Sequence, residues 1–386
     1  MLLFIVFHVL AKAQVGNYAT ADSTSDALYN RADWRQLIIS ANRDLQNGVD
    51  FPALRLRLGY AYFMTQNYSA ALTQYNQVFK ADSYNQTARY YAYLCHRYLN
   101  QDLYANRQTA YFDSITISKR SNNFGLVSAA FEESFKVAND YDRGNSAYTR
   151  FGLGVELMPK LELDQSVTFF KQYIYLPKAY EREIERRHEF EDDQTEYYGA
   201  LHYALTDHLA LIGAYHYLYT TFRRSFNNSN VFMGGINYTN PYFVVQADVN
   251  AAHVMEDHFV QYNIQGIWYP FGNLNLYSIS RVANHRQNAT TNVWIYSQAI
   301  GFKAIKNIWL ETAATFGDQE NYIDADALYV YNTFDNTELK VGETLFYQLL
   351  KNGTLQINYT FERKQEANES STYKQHGFTL GILWKF

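Results

Sequence analysis

Two spacings of apolar residues divide the chain. From about Asp33 to Phe112 they recur every three or four positions, the period of an amphipathic helix; after about Ser121 they recur at every second position, the period of a strand, and do so to the end. The last stretch is the clearest: Phe378, Leu380, Ile382, Trp384 and Phe386 share one face, with Gly377, Thr379, Gly381 and Lys385 on the other. Leu355, Ile357, Tyr359 and Phe361 alternate with Gln356, Asn358, Thr360 and Glu362. Val260, Tyr262, Ile264, Gly266 and Trp268 alternate with Gln261, Asn263 and Gln265, and Phe243, Val245, Ala247 and Val249 with Gln246, Asp248 and Asn250.

A soluble β-sandwich alternates as well. Three further features predict a membrane barrel instead. One face is apolar along whole strands while the other carries Gln, Asn, Asp and Glu, the inverse of a packed core. Aromatic residues such as Trp268 and Trp384 stand beside short turns, where an interfacial girdle puts them. The run Phe378, Leu380, Ile382, Trp384 and Phe386 at the end of the chain resembles the signature that the barrel-assembly machinery reads during insertion. Composition fits this picture. The 386 residues include 36 Tyr and 26 Phe, an aromatic share of 17%, and the formal net charge of −5 gives no electrostatic reason to expect nucleic acid. No apolar run reaches the ~20 residues of a spanning helix.

Turn residues set the strand count. Short turns are expected near Met158–Lys160, Thr206–Asp207, Asn240–Pro241, Pro270–Asn273, Ala304–Lys306 and Lys351–Gly353. Longer polar loops are expected around Asn139–Asn145, Tyr180–Gln194, Arg223–Asn228, His285–Thr290, Asp318–Asn336 and Gln365–Ser371, with one more near Met255–His258. Six short turns and seven loops predict about fourteen antiparallel strands, within a range of twelve to sixteen because Ala327–Thr333 reads as either a strand or part of a loop. An even number brings both ends of the barrel to one side, the periplasm, where turns are short.

In the helical part, Asp33 is an N-cap for a helix carrying Trp34, Leu37, Ile38, Ala41 and Leu45, with Gly48 beyond its end. Pro52 opens a second helix to about Thr65, Ser69–Ala81 forms a third, and Ser83 caps a fourth that reaches about Leu99. Leu58, Gly59, Tyr62, Tyr68, Ala71 and Tyr75 stand at offsets that resemble a tetratricopeptide repeat. Arg55 takes the place of that repeat's usual Trp and Ser83 that of its usual Pro, and a second unit follows raggedly, with Tyr93 at the small-residue position. By this resemblance Tyr60, Phe63, Tyr90 and Arg97 fall where a groove holds an extended peptide; the same residues also suit packing between helices.

Leu2–Leu10 followed by Ala11-Lys12-Ala13 reads as a signal peptide, although no Lys or Arg precedes the apolar stretch. The expected organisation is a signal peptide at 1–13, a flexible linker at 14–32, a periplasmic helical domain at 33–120 and an outer-membrane barrel at 121–386. The lone Cys95 supports neither an internal disulfide nor a lipid anchor. As a whole the chain resembles the Gram-negative envelope proteins that join a short tetratricopeptide segment to an outer-membrane barrel, the YaiO-like barrels among them, without a residue motif particular to those.

The chemistry is sparse. His202 and His216 face inward by parity, as does Asp248 on a neighbouring hairpin, and a catalytic pair there is weighed against the default polar filling of a wet lumen. The carboxylates of Glu181–Asp193 suggest Ca²⁺, but the interleaved Arg182, Arg186 and Arg187 favour internal ion pairing. No metal, nucleotide or other cofactor is expected. The leading expectation is a non-enzymatic anchor or adaptor whose repeat domain binds a periplasmic or envelope protein in an export, secretion or assembly complex. Its other partners would be outer-membrane lipid and the assembly machinery. The alternatives are a diffusion or substrate-selective channel and, third, a lipid- or glycan-modifying barrel enzyme.

Overall fold

The computed structural model describes residues 18–118, 125–140, 143–175, 189–222, 225–287, 291–332, 335–366 and 371–386. The expected signal peptide at 1–13 lies outside them. The chain divides into a helical unit and a barrel unit.

The helical unit holds α1 (18–30), α2 (Trp34–Gln46), α3 (Pro52–Met64), α4 (Tyr68–Ala81), α5 (Gln86–Tyr98), α6 (Asp102–Thr109) and α7 (Ser114–Ile117). Residues 18–30 therefore correct the flexible linker expected there. Ala21 and Ser25 are buried, Leu28 and Tyr29 pack on the cluster of Leu37, Ala41, Leu54 and Leu58, and Arg57 grips Asp22 and Asp26 at 2.6 and 3.0 Å. Asp33 caps α2 and Pro52 opens α3, but α5 starts at Asn85, whose side chain accepts from the Ala88 amide, and not at Ser83. The first six helices form three hairpins with a 34-residue period. Ala32, Gln66 and Asn100 all turn in the left-handed region at φ 54°, 60° and 55°. Arg55 donates to Gln74 at 2.6 Å, and 34 residues later Arg89 donates to Gln108 at 2.6 Å. The polar residue that replaces the expected Trp is thus itself repeated. Gly59 is required where α3 meets α4, because a Cβ there would stand 2.6 Å from the ring of buried Tyr75.

The barrel unit has β1 (Leu126–Ala138), β2 (Arg143–Met158), β3 (Leu161–Tyr175), β4 (Glu189–Ala204), β5 (Leu209–Phe222), β6 (Ser225–Asn240), β7 (Phe243–Val254) and β8 (Asp257–Trp268). It continues with β9 (Leu276–Gln287), β10 (Thr291–Ile305), β11 (Ile308–Phe316), β12 (Ile323–Asp324), β13 (Tyr329–Val330), β14 (Asn336–Gln348), β15 (Gly353–Gln365) and β16 (Thr372–Lys385). Fourteen of these close an antiparallel barrel, while β12 and β13 pair only with each other. The seam joins β1 to β16 with Phe131 opposite Ile382 and Phe135 opposite Phe378.

The period of two is realised as an apolar exterior. Along β7 every second residue from Phe243 is exposed and those between are buried. On β8, Ile264 is 62% exposed and its neighbour Asn263 only 6%. Phe378, Leu380, Ile382 and Phe386 are exposed on the outside, with Trp384 half-buried. This is a surface for lipid, since an apolar belt of that extent in water would be an aggregation site.

Several expected loops are corrected to strand. β5 ends at Phe222 and β6 begins at Ser225, β7 gives way to β8 between Val254 and Asp257, and only Ala138 to Arg143 and Gln287 to Thr291 separate two further pairs. Asn227, Asn228 and Ser229 look like loop residues yet pair with Thr220, Tyr219 and Leu218. A ladder joins backbones, and where strands rise past the lipid no apolar face is needed. Tyr217 and Tyr215 hydroxyls then donate across to Asn228 and Asn230 at 2.6 and 2.7 Å. Two connections remain long, Tyr175 to Glu189 and Phe316 to Asn336.

Candidate functional site

The interior wall is not uniformly polar. On β4–β8 the inward positions include Ala200, Ile212, Ala214, Val231, Met233 and Phe259, all buried. A barrel of this strand number is too wide for its own side chains to fill. What covers the apolar wall is the chain between β11 and β14, which folds inward: Ile323 and Ala327 are 0% and 1% exposed against it, with Leu328 and Val330 beside them. Tyr322 packs separately on Ala283 and Ile295.

The tip of this inward hairpin is strained. Ala325, Asp326 and Ala327 lie consecutively in the left-handed region at φ 50°, 58° and 65°. Each such residue costs on the order of 1–2 kcal/mol, so the conformation persists only because its surroundings over-determine it. Those surroundings are hydrogen bonds from the wall. Gln261 bonds both the carbonyl and the amide of Ile323, at 2.7 and 3.1 Å, as a neighbouring strand would. Gln246 donates to Asp326 at 2.6 Å and Tyr198 to its carbonyl at 3.1 Å. Arg281 pairs with Asp324, and Arg143 anchors Asp335 at the end of the segment at 2.5 Å.

On its other side the hairpin borders a cavity of about 370 Å³. The barrel wall there mixes small residues such as Ser134, Ser146, Thr315 and Gly342 with charged ones and the rings of Tyr148 and Phe170. The lumen is thus two-sided, apolar and covered by the hairpin on one side, with a cavity on the other.

The sequence-derived candidates fall into these surroundings separately. His216 is 1% exposed; its Nδ1 lies 2.7 Å from the Ala327 carbonyl and its Nε2 3.0 Å from Glu196 Oε2, so it ties the wall to the hairpin tip. His202 faces Asp164 at 3.5 Å. Asp248 accepts from Asn250 and Asn263 at 3.0 and 2.7 Å and from Gln246 at 3.2 Å. These three residues do not converge on one site. In the helical unit Tyr60 stacks within a run of rings, 5.2 Å from Tyr29, 5.3 Å from Trp34 and 5.1 Å from Tyr91. Phe63 lies 5.2 Å from Tyr91, Tyr90 lies 5.6 Å from Tyr91, and Arg97 pairs with Asp102 at 2.8 Å. Burial pushes the Tyr68 and Tyr91 hydroxyls up to about 12. Of the acidic stretch weighed for Ca²⁺, residues 181–188 lie outside the described residues, and Lys171 pairs with Glu191 at 3.0 Å.

Sequence reading missed the inward hairpin. Its signal was present: the connection from Phe316 to Asn336 is one of the two long ones and carries Ile323, Ala327 and Leu328, which a solvated loop does not need.

No protein-family model matches this sequence, and no curated protein is similar to it. Solved structures are. A TodX mutant described as a monoaromatic hydrocarbon channel is 8% identical with a TM-score of 0.52, covering 70% of this chain and 92% of its own. The toluene transporter TodX of Pseudomonas putida is 7% identical over 70% of this chain and 91% of its own, with a TM-score of 0.47. The outer membrane protein Omp33 of Acinetobacter baumannii is 9% identical over 68% of this chain and all of its own (100%), with a TM-score of 0.40. The likeness is one of fold, and the fold is that of outer-membrane barrels. It corrects the leading expectation of an anchor or adaptor: the barrel that this one matches in fold is described as a channel. The chain has a closed fourteen-stranded barrel of the outer-membrane kind, preceded by helices.

Proposed function

We propose that this protein is an outer-membrane channel for small polar solutes, narrowed by the segment between β11 and β14. The observation that carries this reading is the cavity of about 370 Å³ between that segment and a wall that presents Ser, Thr, Asn and charged side chains beside Tyr148 and Phe170. The hydrocarbon named for TodX suits the lining less well, because the apolar part of this wall is already covered by Ile323 and Ala327. The strained tip supports selectivity over free diffusion, since an inward segment held by this many bonds fixes the cross-section. We further propose that the helices form a tetratricopeptide-like array in the periplasm. The 34-residue recurrence of Arg55–Gln74 as Arg89–Gln108 supports the first part. The even strand number, with the two longest connections at the end away from the chain termini, supports the second.

The test is planar-bilayer conductance of the full chain beside a variant with residues 320–331 replaced by a short Gly-Ser linker. The wild type is expected to pass small ions, and the variant to conduct several-fold more. Silence from both proteins would overturn the channel reading.

A further inference from the structure

The charges around the cavity are not evenly satisfied. Glu132, Lys136, Glu196, Glu311, Asp324 and Lys340 line it. Three are met by opposite charges, Glu132 by Arg150 at 2.7 Å, Lys136 by Glu362 at 2.7 Å and Asp324 by Arg281, and Glu196 is held by hydrogen bonds with Gln194 at 2.6 Å and His216 at 3.0 Å. The other two rest on tyrosine hydroxyls. Lys340 Nζ donates to the neutral Tyr331 hydroxyl at 2.8 Å, and Glu311 accepts from the neutral Tyr277 hydroxyl at 2.7 Å. Among the described residues neither makes an ion pair.

These two groups are arranged along one strip of wall. β11 and β14 are hydrogen-bonded neighbours; Lys340 pairs with Thr315 and Glu311 with Thr344. The two therefore stand four residues apart along adjacent strands, roughly 13 Å at the backbone. Between them the inward positions are Ala313 and Gly342, which leave the strip bare. In this structure the two side chains turn to Tyr331 and Tyr277; a solute that touches both draws them from these hydroxyls toward each other, which narrows the gap to the span of an amino acid or a dipeptide. Lys340 stands opposite Glu362 in the β14–β15 ladder, but that carboxylate is bonded by Lys136 at 2.7 Å, so two lysines share one acid and positive charge is in excess there. An unpaired charge in a narrow lumen attracts its opposite more strongly than it would in bulk water.

We infer that the cavity recognises a small zwitterion, an amino acid or short peptide, with its carboxylate on Lys340 and its ammonium on Glu311. This deepens the channel reading and rests on it. The experiment uses proteoliposomes of the full chain, swelling in isosmotic diglycine, a neutral polyol of similar size, or succinate, with potassium current recorded from the same preparation. Diglycine is expected to enter about threefold faster than the polyol, the size of effect that a partly solvated charge contact provides. Lys340→Gln and Glu311→Gln should each bring diglycine entry down to that of the polyol measured in the same variant, while Lys340→Arg keeps the advantage. Lys340→Glu should turn the preference toward a diamine, a gain that misfolding cannot imitate. Equal entry of diglycine and polyol into wild-type vesicles that carry current would overturn the zwitterion site and leave the channel standing. Faster succinate entry that is insensitive to Glu311→Gln would overturn it in favour of an anion site. Absence of both current and swelling would sink the channel reading and this inference together.

Discussion

Replacing Ile264 by Lys tests which solvent the barrel wall faces. Ile264 is 62% exposed on β8, flanked by Ala247 on β7 and Val282 on β9 in the same outward row. It stands four residues from Trp268, which is 58% exposed at the strand end. At about 3.3 Å per residue and a tilt of about 40°, that is roughly 10 Å below the aromatic girdle, near the middle of a band about 25 Å tall. If water bathed this face, a Lys at so exposed a site would change stability by no more than about 0.5 kcal/mol. If lipid does, the cost is about 2–4 kcal/mol. The two cases differ by several-fold, and the sign does not depend on details of packing. The assay is reversible urea unfolding in phospholipid vesicles, followed by tryptophan fluorescence. Asn263→Ser, one position along and facing inward at 6% exposure, serves as the control for strand disruption. A change below about 0.5 kcal/mol for Ile264→Lys would refute the claim that this face meets lipid.

Two further outcomes concern the helical unit. Gly59→Val places a Cβ 2.6 Å from the Tyr75 ring, and Tyr75 is 0% exposed and has nowhere to go, so overpacking of about 1–3 kcal/mol is expected; faster proteolysis within 18–118, with the barrel still resistant to SDS, would register it, and unchanged proteolysis would contradict the packing described. Cys95 is fully buried and burial pushes its thiol well above the usual range, so at pH 8 it should ignore a thiol reagent until the protein is denatured; prompt labelling of the native protein would contradict that burial.

How far the structure was legible in the sequence follows from what each pattern encodes. Alternation encodes which face meets lipid, and it held on strands such as β7 and β16. It does not encode where a strand stops, so Asn227 to Ser229 read as loop although their backbones continue the ladder. Alternation also fails to foresee polar groups on the outward face. Glu133 and Glu343 point outward, each accepting from a Thr hydroxyl on the next strand, Thr149 at 2.6 Å and Thr312 at 2.5 Å. Helix signals were read well at Asp33 and Pro52, where a cap or a fixed φ acts locally. The helix at 18–30 was missed because its few large apolar residues, Tyr18, Leu28 and Tyr29, stand at its two ends with small and polar residues between; besides Leu28 and Tyr29 on the neighbouring cluster, it is held by the grip of Arg57 on Asp22 and Asp26. Such a contact across 35 and 31 residues leaves no trace in local periodicity.

The lumen escaped the sequence for a related reason, and the reason bears on function. Inward positions were expected to be uniformly polar, yet β5 and β6 turn Ile212, Ala214, Val231 and Met233 inside. Taken alone, such residues contradict a water-filled barrel. They become intelligible only with the segment between β11 and β14, which is itself two-faced: Ile323 and Ala327 meet the apolar wall, while Tyr329, Tyr331 and Asn332 line the cavity. Neither half makes sense without the other, because an uncovered apolar wall would face water and an undocked hairpin would lose the bonds that offset three consecutive left-handed residues. The wall and the segment are therefore one device, and its product is the shape of the space that remains. Solute choice then falls to the few groups which that device leaves unsatisfied, Lys340 and Glu311, and not to the histidines and the aspartate that parity singled out. His216 lies against the Ala327 carbonyl of the hairpin at 2.7 Å, and Asp248 accepts from its amide neighbours, so the bonds of both serve the wall and the hairpin.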